Sequence, residues 1–339
     1  MLFCLDAVRH NSRPLRPLRG RGFLLVASLL VLPGCDHGAA RPEQPSPPVA
    51  AGDERETLAP GIVHEAISTG ASAGVDIIDV TMSTADAHVS VGASSIGSSD
   101  GSVTAAPKLP EDWLTDQSVL AAINGGYFGR TVNEHKELVG LLVMDGRVRH
   151  AAPAIVGHGS AGLAPGTYAR SAFGVMPNGE PQITWAATRA GSPQSLYSYE
   201  APIISDSHGQ RIRGTRWRPV CAIGCGPTLI RDGRVSITDR DERLVSPEAC
   251  PRTFVAYSSP GASQHFVMGV ASSMTYNDLA QFLEGYFKSR YKTDVSAAMC
   301  LDGGASTQIS YRTANGPVTP RSTGVTVADC LLLVSGRQR

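Results

Sequence analysis

Apolar residues fall along most of this chain in short bursts rather than in long helical waves. Runs enriched in β-branched side chains occupy residues 75–81, 89–93, 119–124, 138–144, 252–257, 265–270, 297–301 and 325–334, and their length and composition predict strands. Asp145-Gly146, Asn178-Gly179 and Asp232-Gly233 each separate two apolar segments, and an Asx-Gly pair supplies the positive φ angles of tight hairpins. Antiparallel pairing follows. One segment has helical period: Thr275 is placed to cap, Asp278 lies in the first turn, and Leu279, Phe282, Leu283 and Tyr286 recur at i, i+3, i+4 and i+7. Many strands with few helices predict an α+β fold with mixed or antiparallel sheets.

The amino end follows other rules. Five arginines (Arg9, Arg13, Arg16, Arg19, Arg21) and a single acid, Asp6, surround and precede the ten-residue apolar stretch 23–32, after which comes Pro33-Gly34-Cys35. Ten residues are too few to span a bilayer and suit a signal-peptide core. The end of the stretch resembles the bacterial lipobox, in which a small residue precedes a cysteine that is lipidated. Residues 1–34 therefore read as a lipoprotein signal peptide, and Cys35 as the lipidation site of an exported, membrane-anchored protein of the bacterial cell envelope. Residues 35–60 include Arg41-Pro42-Glu43-Gln44-Pro45-Ser46-Pro47-Pro48 and read as a Pro-rich tether. From 61 to 339 neither a repeat nor a second linker interrupts the pattern, which predicts one domain.

Composition narrows the class. With 339 residues, 42% hydrophobic and 18% charged, the chain has ample material for a core, which excludes disorder, collagen and a coiled coil. Lys+Arg and Asp+Glu are both 30, but beyond residue 34 the balance is 25 against 29, without a basic run. Nucleic acid is excluded as a partner on that ground. Gly157-His158-Gly159-Ser160-Ala161-Gly162 matches a dinucleotide fingerprint, yet Pro165-Gly166 follows where a helix must start. Gly70-Ala71-Ser72-Ala73-Gly74 matches a nucleophile elbow with its strand on the wrong side. No zinc motif appears among the nine histidines, so no cofactor is expected, while an oxygen-ligated divalent metal stays open. Cys221, Cys225, Cys250, Cys300 and Cys330 should pair where geometry allows in an oxidising compartment, leaving one odd.

Four segments set glycine beside polar side chains at the ends of expected strands. They are Asn124-Gly125-Gly126-Tyr127-Phe128, Gly224-Cys225-Gly226-Pro227-Thr228-Leu229, Arg252-Thr253-Phe254-Val255-Ala256 and Leu301-Asp302-Gly303-Gly304-Ala305-Ser306. Such turns let a ligand approach main-chain N–H groups. Taken in order, with Asp232-Gly233 after Gly226-Pro227, Thr275 opening its helix, and Arg321-Ser322-Thr323 before the last strand, they resemble the phosphodiester glycosidase family over residues 75–335. Two departures stand out: Ala256 and Ala305 replace glycines of the family pattern, which bears on activity or substrate identity.

That resemblance implies a hydrolase cleaving the anomeric C–O bond of a sugar-1-phosphodiester in an envelope glycan or glycolipid, so a sugar phosphate or polysaccharide is the expected substrate. A departing phosphate needs cationic donors, and Arg252 has a planar fork for two oxygens. The charge that develops on the sugar needs a carboxylate, and Asp302 suits that role. Asn124 would orient a hydroxyl or the phosphate, Tyr127 would stack on the ring, and Gly125, Gly226, Gly303, Gly304, Ser306 and Arg321 complete the expected binding set. A second carboxylate is expected for glycoside hydrolysis. Glu134, Glu137 and Asp278 lie near the motifs, but spacing selects none. The rival class is a non-catalytic binder of glycan phosphates in exopolysaccharide assembly, and fold alone does not separate the two.

Overall fold

The sheets of this chain are built from the alternation seen in its sequence. In the strand Cys250–Ser258, Val255 and Tyr257 face one layer while Phe254 and Ala256 face another, the period-2 signature of a strand buried on both sides. The computed structural model describes residues 54–68, 74–99, 102–151, 169–189, 192–203, 214–244, 246, 248–260 and 264–336. The proposed signal peptide, Cys35, residues 35–53 of the proposed tether, the Gly157–Gly162 motif and most of the Gly70–Gly74 motif lie outside them. Glu54–Ala59, at the end of the stretch read as a tether, is a strand paired with Ile62–Ser68.

Among the described residues the strands form four antiparallel sheets. The first has eight strands in the order Glu54–Ala59, Ile62–Ser68, Gly74–Thr81, His265–Met274, Cys250–Ser258, Val295–Cys300, Thr228–Arg231 and Arg234–Val235. The second has seven, with Arg170–Val175 paired to both Cys221–Gly224 and Pro181–Arg189. A five-stranded sheet holds Val119–Asn124 between Ile309–Thr313 and Cys330–Ser335. The fourth joins Ser94–Ser99, Ser102–Ala106, His135–Leu138 and Phe128–Val132. Val255 and Met268 of the first sheet, Phe173 and Ile223 of the second and Ile123 and Leu331 of the third share one buried apolar layer. On the other face of the first sheet lies the helix Tyr276–Tyr291, which buries Leu279, Leu283 and Phe287 against Phe254, Val267 and Ala298.

The expected α+β fold is overturned. Among the described residues there is one α-helix and two short 3-10 turns against twenty-four strands, so the molecule is close to all-β. The cause is visible in the strands the pattern passed over. Ser94–Ser99 and Ser102–Ala106 are built largely of serine and small residues, whose weak propensity gives no apolar signal. The helix itself agrees with its reading: the Thr275 hydroxyl accepts from the Asp278 N–H, and the Asp278 carboxylate accepts from the Thr275 N–H. Asp145-Gly146 and Asp232-Gly233 adopt two successive positive φ angles and close hairpins. The apolar run at 138–144 is split between two sheets, and only the end of the run at 325–334 is strand. Among the described residues, no helix is long and apolar enough to cross a membrane.

Candidate active site

Three of the four glycine-bearing segments meet at Asn124, and the fourth is strapped beside them. Asn124 ends its strand fully buried, and each part of its amide is used. Nδ2 donates to the Asp302 carbonyl at 2.7 Å, while Oδ1 accepts from the Thr253 hydroxyl at 2.7 Å and the Gln308 N–H at 3.1 Å. One side chain thus ties together segments about 130 and 180 residues away in sequence, a role that a charged or apolar residue of this size cannot fill. Leu301 N–H donates to the Thr253 carbonyl, and the ends of Gly226-Pro227 and Cys300 exchange backbone bonds of 3.2 and 3.0 Å. The Gly226 turn is thereby held on the end of the strand that delivers Asp302.

Asp302 stands two residues past Val295–Cys300, half-buried. Its Oδ1 accepts from the Gly303 N–H at 3.0 Å, and the Ser306 hydroxyl is its second donor. Burial pushes the carboxyl up to about 6, against the opposing pull of those two donors. Gly303 lies so close to its neighbour that a Cβ would come 2.9 Å from the Pro251 carbonyl oxygen, and Gly304 takes a φ of +61°. Ala305 occupies the exposed middle of the 3-10 turn Gly304–Ser306 without a positive φ, so its methyl needs no glycine there. Ala256 is buried against the helix layer.

A second buried carboxyl lies on the other side of Gly125, that of Asp329, which the sequence did not single out. It is 4% exposed, its Oδ1 accepts from the Gly126 N–H at 2.7 Å, and its carbonyl accepts from the Gly125 N–H at 3.0 Å. Gly125 in turn offers its own carbonyl to the Asp302 N–H at 3.0 Å. A Cβ on Gly125 would overlap Asp329 Oδ1 and stand 2.6 Å from Ile223 Cδ1, so no larger residue fits between the two acids. Burial pushes the Asp329 carboxyl up to about 7; the Gly126 N–H pulls it down and the Asp302 charge raises it further. The available signal was a lone acid inside the apolar run 325–334. By contrast Glu134 sits in a turn at φ 67°, Glu137 accepts from the Ser102 hydroxyl and Asp278 caps the helix.

The remaining expected residues divide. Tyr127 donates its hydroxyl to the Gly226 carbonyl at 2.7 Å, and burial pushes its phenol far up. Arg252 is 4% exposed and lies flat on Tyr276 at 3.9 Å. Its Nε donates to the Met274 carbonyl at 2.9 Å and its Nη2 to the carbonyls of Ser246 and Glu248 at 3.0 and 2.8 Å. Among the described residues no hydrogen bond leaves Nη1, so the fork grips backbone and at most one nitrogen remains for an anion. Arg321 has its ion-pair partner elsewhere, at Asp76 of the first sheet, 3.9 Å away.

Glu242 was not anticipated, because it sits in a charged stretch that reads as solvated. It is fully buried and accepts from the Ser171 N–H (2.8 Å) and hydroxyl (2.6 Å), the Thr238 hydroxyl (2.5 Å) and the Trp185 indole (3.1 Å). A Cβ on Gly226, whose φ is +142°, would lie 3.0 Å from Glu242 Oε2, so this acid forms the floor under the Gly226 turn. The five cysteines are free thiols, and burial pushes those of Cys221 and Cys300 up to about 12. Among the described residues no group of three or more His, Cys, Asp or Glu converges as metal ligands would.

A family model described as phosphodiester glycosidase matches residues 117–334, a span that holds every residue of this cluster. No curated protein matches the chain. Among solved structures, a hypothetical protein from Synechocystis aligns at 14% identity and a TM-score of 0.48, covering 83% of this chain and 64% of that one. The catalytic domain of zebrafish N-acetylglucosamine-1-phosphodiester α-N-acetylglucosaminidase, auto-inhibited by its pro-peptide, aligns at 17% identity and a TM-score of 0.47, covering 86% of each chain. A Burkholderia pseudomallei protein described as a putative exported protein aligns at 12% identity and a TM-score of 0.46, covering 80% of this chain and 74% of that one. The match over 117–334 spans more than half of the sequence, and the chain belongs to the phosphodiester glycosidase family.

Proposed function

We propose that this protein hydrolyses the bond between a sugar's anomeric carbon and a phosphodiester oxygen. The observation that carries the reading is the meeting of Asp302 and Asp329 on the two sides of Gly125 inside the span matched by the family. Asp302 has the better exposure and the better donors, so it is the carboxyl that ionises first. Water attacks C1, the C1–O bond breaks, the phosphomonoester departs with the bonding pair, and Asp302 takes the proton that the water loses. Phosphate is already a good leaving group, so the site's main task is to hold the sugar and steady the charge at C1. Gly303 and Ser306 hold that carboxyl, Gly125, Tyr127, Gly226 and Gly304 are the residues we assign to the sugar, and Arg252 Nη1 is the cationic donor offered to the phosphate.

An exported protein lipidated at Cys35 would meet such diesters in the envelope, on glycans or glycolipids. The test is a panel of sugar-1-phosphodiesters with the full chain, assayed for released reducing sugar. Asp302→Asn, equal in size and without the charge, is expected to cut turnover by at least about a hundredfold. In ¹⁸O-labelled water the label should enter the sugar. Label in the phosphate would mean P–O cleavage and overturn the reading; tight binding without release would make the protein a carrier of glycan phosphates.

A further inference from the structure

Asp329 has a role that the hydrolytic scheme above leaves unused. Two acidic residues hold opposite sides of one peptide turn: Asp302 donates its N–H to the Gly125 carbonyl, while Asp329 accepts the N–H of Gly125 on its carbonyl and that of Gly126 on its carboxyl. No ion pair reaches either acid among the described residues. The titratable groups that face Asp329 are Asp302 at the end of its strand and the thiols of Cys225 and Cys330. Lys108, whose charge acts on the neighbouring Cys330, pairs its backbone with Val327 and directs its ammonium over the Trp113 ring at 4.2 Å.

Two carboxyls in such a place do not ionise together, because the second charge is opposed both by burial and by the first. The one with fewer donors keeps the proton. Asp302 has the Gly303 N–H and the Ser306 hydroxyl, whereas the Asp329 carboxyl accepts a single N–H from the described residues. We infer that Asp329 is a positioning residue that acts as a charge switch on substrate admission: protonated, it leaves Asp302 as the one negative charge of the site, and ionised, it adds a second that repels an anionic diester. The inference rests on the phosphodiester reading for its substrate class. Loss of the Asp329 proton falls near neutral pH, inside the range where an enzyme is ordinarily assayed.

The effect appears in substrate affinity. If only the protonated site admits the diester, KM rises about tenfold for each pH unit above the transition, and the rise is in KM rather than kcat. Asp329→Asn keeps an oxygen for the Gly126 N–H and cannot ionise, so its KM should stay flat between pH 6 and 8.5 and lie about tenfold below that of the wild type at pH 8. A purely structural role would leave the two pH profiles parallel. Carbon-13 NMR of the wild-type chain with labelled aspartate carboxyls is independent of both the variant's folding and turnover: beside Asp302, pushed up to about 6, a second carboxyl should titrate near pH 7, and fewer than two carboxyls titrating above pH 5 overturns the proposal.

The two readings fail separately. Turnover with a pH-independent KM sinks the switch and leaves the glycosidase. Absent turnover, calorimetric binding of the same diester that weakens about fivefold from pH 7 to 8 in the wild type alone sinks the glycosidase and leaves the switch. Equal binding at both pH values, or none, overturns the switch.

Discussion

Replacing Asn124 by alanine should be among the most damaging single changes in the fold, although the residue offers little to a substrate. The truncation strands three buried partners at once: the Asp302 carbonyl, the Thr253 hydroxyl and the Gln308 N–H. Thr253 is fully buried and Gln308 nearly so, which leaves water few routes to replace the amide. A buried polar group left without its partner costs roughly 1–3 kcal/mol, and three coupled groups sharing one cavity should cost on the order of 4 kcal/mol together. That is a large part of the roughly 5–15 kcal/mol that separates a folded domain from its unfolded chain. In urea titrations the midpoint should fall by more than about 1 M with an unchanged slope. Asn124→Asp supplies the control: it keeps the acceptor for Thr253 and Gln308 but sets an oxygen against the Asp302 carbonyl, so its stability should fall as pH rises and the new carboxyl is forced to ionise. A loss under about 1 kcal/mol in Asn124→Ala would refute the bracing role.

Three further outcomes are expected. Gly125→Ala, whose methyl would overlap Asp329 Oδ1, should lose about 1–3 kcal/mol, whereas Gly304→Ala meets nothing within 4 Å and should lose only the roughly 1 kcal/mol of left-handed strain; thermal unfolding of the pair tests the contrast. Arg252→Lys should lower the urea midpoint by roughly 2–3 kcal/mol equivalent, because an ammonium cannot reach the Met274, Ser246 and Glu248 carbonyls together; full stability in the variant would remove the backbone-gripping role. Burial pushes the folded Asp329 carboxyl up to about 7 from its ordinary 3.8, so the wild type should lose stability as pH rises from about 4 through 7, by at most about 4 kcal/mol, and Asp329→Asn should gain on it across that window in unfolding measurements at pH 5 and 8.

How far the sequence could be read depended on where the information lay. Val119–Asn124 appears as an apolar run with the same limits as the strand, and the Thr275 cap with its Leu279, Phe282, Leu283 and Tyr286 stripe marks the helix, because propensity and burial agree there. Serine-rich strands such as Ser94–Ser99 carry no such agreement; this one pairs with the adjacent Ser102–Ala106, and the small polar residues of both leave no apolar alternation to read. At the site, glycine positions were legible because the backbone must turn or pass closely, as at Gly303 and Gly304. Asp329 and Glu242 were not, since the function of each depends on what is folded against it: Gly125 and Gly126 for one, Ser171, Thr238 and Trp185 for the other.

The polar groups of the site therefore separate by what their hydrogen bonds are spent on. Asn124, Tyr127 and Arg252 direct donors at the backbone carbonyls of Asp302, Gly226 and Met274, and these bonds fix the shape of the turns. A donor so committed gains nothing from a ligand unless it first releases a carbonyl that would then be buried unpaired, and of the three side chains Arg252 alone keeps a further nitrogen, Nη1, for an anion. The two carboxyls are different: each is held by few donors and no cation, so each keeps capacity to take or hold a proton. Substitutions should follow the same division. Changes to Asn124 or Tyr127 should lower stability and activity in proportion, Arg252→Lys should cost activity beyond its loss of stability because Nη1 is the nitrogen offered to the phosphate, and isosteric amides at Asp302 and Asp329 should alter turnover or its pH dependence while the fold keeps or gains stability. A variant of Asn124 that stays as stable as the wild type yet loses all turnover would break this division and return the amide to the reacting atoms.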